Sequence, residues 1–383
     1  MDVTALDVTI HESELDAYIE YDSSVHNANL FYLTSFLAED PFLLIRSDAQ
    51  STLVVSSMER ERAARTSSAD LVHTREAYLG DTSISNREQA AAELIASVLL
   101  VNKAQRVGVD PRFPIVLADI LRSKGYELQP VAGTVENLRA VKSVRELREI
   151  EAVQRACERA LKNALSVIQR STAVEGELHY QGTVLTSERL KGMLGCTLIQ
   201  QKCTASDTIV SSGADSALPH LSGSGPIKPD VPIVFDVSPR SVLSRYYADM
   251  SRTVVWGKPS QELVDMYDAV KDAQDVAFGM LKPGVTGADV HAAVVDIFGQ
   301  RGFKTDLKKG CGFIHSTGHG VGLEVHEQPS IGKTGEVLRV GNVITIEPGL
   351  YYPDIGGVRL EDIAVITKRR YTNLTHFEKK LVI

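Results

Sequence analysis

Four carboxylates and one imidazole sit inside apolar, β-prone runs of the C-terminal half of this chain, and that placement constrains its fold more than any other feature. They are Asp236 in VFDVSPR, Asp249 in YYADMSRT, His319 in STGHGVGLEVHE, Glu347 in TIEPGLYY and Glu361 in GVRLEDIAV. A carboxylate taken into a strand interior is costly unless its charge is compensated. Buried acids of this kind either keep a proton or hold a cation. An oxygen-rich set with a single imidazole suits hard to borderline divalent ions better than zinc in a thiolate cage. Two such ions about 3.5–4 Å apart need bridging carboxylates to neutralise them and fix their separation. The strands must therefore bring the five groups together, and the pattern reads as a two-metal hydrolase site.

Bulk properties set the frame for this site. At 383 residues the chain exceeds a typical single core, so two domains are expected. A formal charge of −8 and a pI near 5.7 give no electrostatic footprint for nucleic acid or anionic lipid, which leaves small molecules or peptides as substrates. The N-terminal MDVTALDVTIHESELDAY is acidic and lacks an apolar core segment, so no secretory signal is expected. No apolar run approaches a membrane span. Cys157, Cys196, Cys203 and Cys311 show no zinc or redox spacing and read as free thiols in a reducing, cytoplasmic compartment.

Along the chain, FLLIRSD, STLVVSS and RVGVD read as strands and NREQAAAELIASVLL as a helix, which predicts a small α/β layer domain over residues 1–140. Its end falls near PVAGTVENLRAVKS, where Pro130 and Gly133 interrupt the periodicity. Ser143 and Glu146 form a capping-box signature ahead of a long helix with a stripe at Ile150, Val153, Ala156, Ala160 and Leu161. Residues 141–383 then mix two further helical runs with the strands VPIVFDV, RYYADMSRTVVWG, NVITIEPGLYY and VRLEDIAVIT. Short connections make these strands antiparallel, and Pro353, Asp354, Gly356 and Gly357 mark a tight turn. Asp236 with Asp249, and Glu347 with Glu361, are spaced 13 and 14 residues apart, which hints at a duplicated α/β unit meeting at one site.

The ordered series Asp236, Asp249, His319, Glu347 and Glu361, within DMSRT, GHGVGLEVHE, TIEPGLY and GGVRLED, resembles the pita-bread metallopeptidases of the M24 type. That superfamily includes methionine aminopeptidase, aminopeptidase P and proline dipeptidase. The resemblance covers residues 143–383, and NLFYLTSF extends it more weakly into a creatinase-type N-terminal domain. The two-domain layout is most similar to prolidase and aminopeptidase P. The resemblance implies an α+β architecture: a pita-bread catalytic domain over 141–383 preceded by the smaller α/β domain. It implies hydrolysis of Xaa–Pro bonds in dipeptides or short peptides, with aminopeptidase P action on longer peptides as the alternative.

Carried over by position, Asp236, Asp249, His319, Glu347 and Glu361 are the expected metal ligands, with Glu347 also the expected proton shuttle. His326 is expected to hydrogen-bond the scissile carbonyl or its oxyanion, and His220 to contact substrate or assist proton transfer. His315 is associated with the substrate pocket, and Arg359 resembles a substrate-facing or carboxylate-supporting arginine. The implied cofactors are two divalent ions, Mn2+ or Co2+ ahead of Zn2+ or Fe2+, and the implied assembly is a homodimer. An inactive binding protein on this fold, or a creatinase-like hydrolase working without metal, is expected to have lost ligands; all five are present. His11, His26, His73, His179, His291 and His376 have no motif context.

Two departures stand out. The Asp236–Asp249 interval is two residues longer than is usual for the superfamily, so PRSVLSRYY must hold an enlarged turn. Ser330 follows HEQP where some archaeal prolidases carry an arginine suited to clamp a dipeptide carboxylate; Lys333, Arg339 and Arg359 are the candidate replacements. Dipeptide against longer-peptide preference stays open in sequence.

Overall fold

The computed structural model describes residues 3–80 and 86–383. The chain divides into two compact units, Met1–Arg139 and Ala140–Ile383.

The first unit is built on a six-stranded mixed sheet. Its strands are β1 (Ala17–Asp22), β2 (Phe42–Ser47), β3 (Gln50–Val55), β4 (Leu71–Thr74), β5 (Arg106–Val109) and β6 (Glu127–Pro130), in the order β4-β3-β2-β1-β5-β6. β2 and β3 form a hairpin, and β5 lies parallel to β1 as an α/β layer requires. The helix Arg87–Val101, capped by the Asn86 side chain, covers one face with Ala92, Leu94, Ile95, Val98 and Leu99. These elements coincide with the runs FLLIRSD, STLVVSS, RVGVD and NREQAAAELIASVLL.

The second unit opens with the helix Val144–Gln169. Its capping box is formed as the sequence requires, with the Ser143 hydroxyl accepting from the Glu146 amide and the Glu146 carboxylate accepting from the Ser143 amide. Ile150, Val153, Ala156, Ala160 and Leu161 are all buried on one face. A second helix, Ser187–Gln200, precedes an antiparallel sheet of Ile209–Ser212, Ile233–Val237 and Met250–Val254. The pattern then repeats. Helices Gln261–Met280 and Gly287–Gln300 precede a five-stranded sheet with Gly318–Gly320, Val343–Ile346 and Asp362–Ile366 at its centre. The first helix pair packs on one apolar cluster, which also takes in Val321, Val343 and Ile363 of the second sheet region, and the second pair packs on another.

Two long strands read from sequence are in fact broken. NVITIEPGLYY divides into Val343–Ile346 and Gly349–Tyr352, and VRLEDIAVIT into Gly356–Arg359 and Asp362–Ile366. In both, the chain passes from one sheet to another at the break, and Glu347 and Glu361 occupy the breaks. Pro348 cannot donate to a ladder, which accounts for the first interruption. The long Asp236–Asp249 interval is taken up by a folded excursion: Arg240–Ser241 pairs with Cys203–Thr204 and the turn runs over residues 242–244.

The halves are tied together by Arg252. Its guanidinium donates to the Asp362 carboxylate (2.7 Å), the Glu361 carbonyl (2.7 Å) and the Phe377 carbonyl (2.8 Å). The Glu361 amide in turn donates to the Ser251 carbonyl at 3.0 Å. Burial works against the Asp362 carboxylate, but Arg252 and Lys379 outweigh it and hold its pKa below the ordinary value. Breaking one partner of such a buried pair costs about 3–5 kcal/mol. Arg252→Met is therefore expected to lower the melting temperature by on the order of 10 °C, measured by calorimetry on metal-free protein. An unchanged transition would show that the halves do not depend on this arginine.

Candidate metal centre

The duplicated strands deliver their acids to one place. Asp236 lies near the end of Ile233–Val237, and Asp249 immediately precedes Met250–Val254. The two are not directly opposed across the ladder, because Asp236 faces Ser251 and Val237 faces Met250. His319 is the middle residue of the short strand Gly318–Gly320. Ligand atoms of Asp249, His319 and Glu361 all lie within 4.8 Å of one another. The Glu347 carboxylate lies 3.2 Å from His319 Nε2, and the Asp236 charge acts on both Asp249 and Glu361. Asp249, His319 and Glu361 thus converge, Glu347 adjoins them through His319, and Asp236 is held beside them by Arg359.

The glycines flanking His319 are required by the backbone behind them. A Cβ at Gly318 would lie 2.0 Å from the Thr345 carbonyl oxygen, and one at Gly320 would lie 2.2 Å from the Gln328 carbonyl oxygen. Only glycine lets the neighbouring strands come this close. The His319 amide donates to Thr345 Oγ1 at 3.1 Å, and Nδ1 lies 3.1 Å from the Gly320 carbonyl. With Nδ1–H donating there, Nε2 is the nitrogen that faces the acids, the arrangement usual for an imidazole ligand.

Charge compensation decides what this cluster can hold. Asp249 and Glu361 are almost fully buried, and burial together with repulsion from the neighbouring acids pushes both carboxyls well above the carboxylate range. Asp249 Oδ1 is buried without a hydrogen-bond partner. For Glu347 burial acts upward, but the hydrogen bond and charge of His319 prevail and draw it down to about 2. Burial would lower His319, yet Glu347 and Asp249 raise it to about 9. Two strained acids, an unpartnered oxygen and an oriented imidazole nitrogen form a donor set that fits divalent cations, whose charge would replace the protons.

Around the centre, the buried Arg359 is turned into the protein. It donates to Asp236 Oδ2 (2.6 Å), the Tyr351 hydroxyl (2.8 Å), Ser251 Oγ (3.0 Å) and the Pro219 carbonyl (3.4 Å). These bonds employ both terminal nitrogens and Nε, so of its two expected roles the geometry favours support of a carboxylate over contact with substrate. Ser251 Oγ passes the link on by donating to Glu361 Oε2 at 2.8 Å. His315 Nδ1 lies 2.7 Å from the Ser316 carbonyl, and its Nε2 lies 2.9 Å from the Tyr351 hydroxyl. Burial first, then the Arg359 charge, depresses His315, so the neutral ring donates through Nδ1 and accepts from Tyr351. Both ring nitrogens of this residue, which the resemblance associates with the substrate pocket, are thus engaged by protein.

His326 keeps an open aspect. Its exposed ring meets the His319 ring edge to face, with centroids 4.2 Å apart. Partial burial and the His319 charge lower its pKa, so the ring is neutral near pH 7 and retains one N–H donor. His220 is exposed on the loop after Gly213–Ala217, and its charge acts on both His315 and His326. Among residues the sequence did not single out are Tyr351, Ser251 and Thr345. His291 is another: it is buried, with Nδ1 3.0 Å from the Thr317 hydroxyl behind the His319 strand. Tyr351 lies beyond the break at Glu347 and Pro348, on a strand of a different sheet, so strand alternation does not link it to Glu347. Ser330 donates its amide to the Glu336 carboxylate (2.8 Å). All four cysteines are free, and Cys311 lies in a loop with its thiol 3.4 Å from the Lys309 carbonyl.

The raised carboxyls carry a pH signature. A group whose folded pKa exceeds its unfolded value contributes stability below the unfolded value and loses it as pH climbs toward the folded one. For Asp249 that loss begins above the ordinary aspartate value of 3.8. Metal-free protein is expected to lose thermal stability from about pH 4 toward neutrality, and Asp249→Asn should flatten the slope. Divalent metal should raise the melting temperature of the wild type and not of this variant. An Asn variant with an unchanged pH profile would contradict this account.

Comparison with known proteins accords with the geometry. The model of metallopeptidase family M24 matches residues 148–368, and that of the creatinase/prolidase N-terminal domain matches residues 3–141. The chain is 35% identical over 280 residues to the Xaa-Pro dipeptidase of Pyrococcus horikoshii, covering 72% of this chain and 74% of that one. It is 33% identical over 287 residues to the Xaa-Pro dipeptidase of Pyrococcus furiosus, covering 74% and 77%. The crystal structure of the prolidase from Pyrococcus horikoshii superposes with a TM-score of 0.82 at 27% identity, covering 99% of both chains. With this match over most of its length and its acids gathered around one histidine, the chain belongs to metallopeptidase family M24.

Proposed function

We propose that this protein is an Xaa–Pro dipeptidase that hydrolyses the imide bond of proline-containing dipeptides and short peptides. The observation that carries the proposal is the convergence of Asp249, His319 and Glu361 around a buried, unpartnered carboxylate oxygen. It occurs in a family member whose relatives are named Xaa-Pro dipeptidase. Asp236, Asp249, His319, Glu347 and Glu361 are the residues that would hold two divalent cations. Mn2+ or Co2+ suits four carboxylates and one imidazole, and Zn2+ or Fe2+ can also be accommodated. When bound, such ions supply an activated water and a Lewis acid for the scissile carbonyl.

The chain's own residues supply the rest. Glu347, anionic through its contact with His319, is placed to take a proton from the attacking water and deliver it to the departing prolyl nitrogen. That nitrogen is a poor leaving group until protonated. His326 presents an N–H to the oxyanion, and its exposed position beside His319 leaves that donor accessible. His220 faces substrate from its loop. His315 and Arg359 act through Tyr351 and Asp236, holding one edge of the centre in place.

The same reading extends to the surroundings of the enzyme. Among the described residues no helix is long and apolar enough to cross a membrane. Four free cysteines accord with a cytoplasmic setting. A homodimer is the assembly that the family resemblance implies. Aminopeptidase P action on longer peptides is the alternative, since Arg359 is committed to Asp236 and is therefore not available to clamp a dipeptide carboxylate.

Turnover of Xaa–Pro dipeptides and Xaa–Pro–Xaa tripeptides, compared after loading with Mn2+ or Co2+, tests the proposal. The dipeptide is expected to be the better substrate; a strong tripeptide preference selects the alternative. Asp249→Ala and Glu361→Ala should each abolish hydrolysis, and His326→Ala should reduce kcat by roughly a hundredfold, the scale of a lost oxyanion donor. Near-normal turnover in both acid variants rejects the assignment.

A further inference from the structure

We infer that Lys142 is a positioning residue for His326, acting through a buried ion pair with Glu327. The inference rests on the proposed role of His326 in the hydrolysis. Gly320 and Glu327 pair across the strands Gly318–Gly320 and Glu327–Ile331, so residues 321–326 form the loop between them, with His326 its last member. The loop folds around the Glu327 carboxylate. A Cβ at Gly322 would lie 2.3 Å from Glu327 Oε1, and the Glu324 amide donates to Glu327 Oε2 at 3.4 Å. The Gly322 amide closes the turn on the Glu324 carbonyl at 3.1 Å.

An acid inside its own loop needs a cation. Lys142 supplies it: its ammonium donates to Glu327 Oε1, and the two side chains are only 1% and 6% exposed. The lysine is itself fixed at the backbone. Its amide donates to the Gly341 carbonyl at 2.9 Å, Val141 bridges Asn342, and the Asn342 side chain donates to the Ala140 carbonyl at 2.8 Å. The lysine stem thus rises from a segment pinned beside the strand Val343–Ile346 and ends on the carboxylate next to His326. Removing its charge breaks a buried ion pair, and the Glu327 carboxylate would shift from the position this pair gives it. The loop, and the imidazole at its end, would move with it.

A double-mutant cycle on the Mn2+-loaded enzyme separates this role from a general loss of stability. Lys142→Met is expected to lower kcat on an Xaa–Pro dipeptide by roughly ten- to a hundredfold, the scale of an ångström-level misplacement, while KM changes by less than about twofold. Lys142→Arg should recover most of the loss. In a His326→Ala background, Lys142→Met should change kcat by no more than about twofold, since the residue it positions is gone. Amide exchange on metal-free protein gives an independent reading, in which Lys142→Met should speed exchange at Glu324. Should Lys142→Met fail to fold, Lys142→Gln, which retains a donor without the charge, enters the same cycle. Additive losses in the cycle, or unaltered exchange at Glu324, overturn the inference. A harmless His326→Ala instead overturns the role given to His326, and the exchange measurement still reports on the clasp.

Discussion

Uncompensated negative charge is the constraint on which the catalytic unit depends. Asp249 and Glu361 are buried beside Asp236 and Glu347, and their raised carboxyls show how poorly the protein alone tolerates them. The surroundings answer with directed positive groups. Arg359 takes Asp236, His319 takes Glu347, and Arg252 takes Asp362 immediately after Glu361. What remains is an excess of acid at the centre, with one carboxylate oxygen unpartnered. Such an arrangement persists only with protons on the acids or with a cation that replaces them. Stability and metal affinity are therefore two readings of the same electrostatic deficit.

Much of this was legible because the chemistry is written in single residues. Five groups that cannot stay in apolar strands alone announce a shared centre, and their order carried the family resemblance. The capping box at Ser143 and Glu146 and the stripe from Ile150 to Leu161 follow local rules that tertiary contacts did not overturn. The small α/β layer followed from the alternation of helices and strands and the pita-bread unit from the family resemblance, and the matching prolidase structure has the same architecture.

What escaped the sequence depends on contacts distant along the chain. Strand periodicity ran NVITIEPGLYY and VRLEDIAVIT together, because a change of sheet leaves no mark on alternation when both sheets are buried. Arg359 was recognised, but whether it faced a substrate or a carboxylate turned on Tyr351 and Ser251, which carry no motif. Lys142 precedes a helix start and looks like an ordinary solvated charge. Its partner is 185 residues away. Likewise the glycines of GHG are demanded by backbone carbonyls of Thr345 and Gln328, which the local sequence does not announce.

That last feature fixes more than the local packing. With carbonyl oxygens of Thr345 and Gln328 pressed against both glycines, the backbone that carries the imidazole cannot shift without unzipping the ladder that holds it. Any drift in ion selectivity during divergence must then come from the oxygen side of the cage: how far Arg359 draws Asp236 back, or how firmly Ser251 steadies Glu361. The nitrogen is the fixed post, and the carboxylates are the adjustable stays.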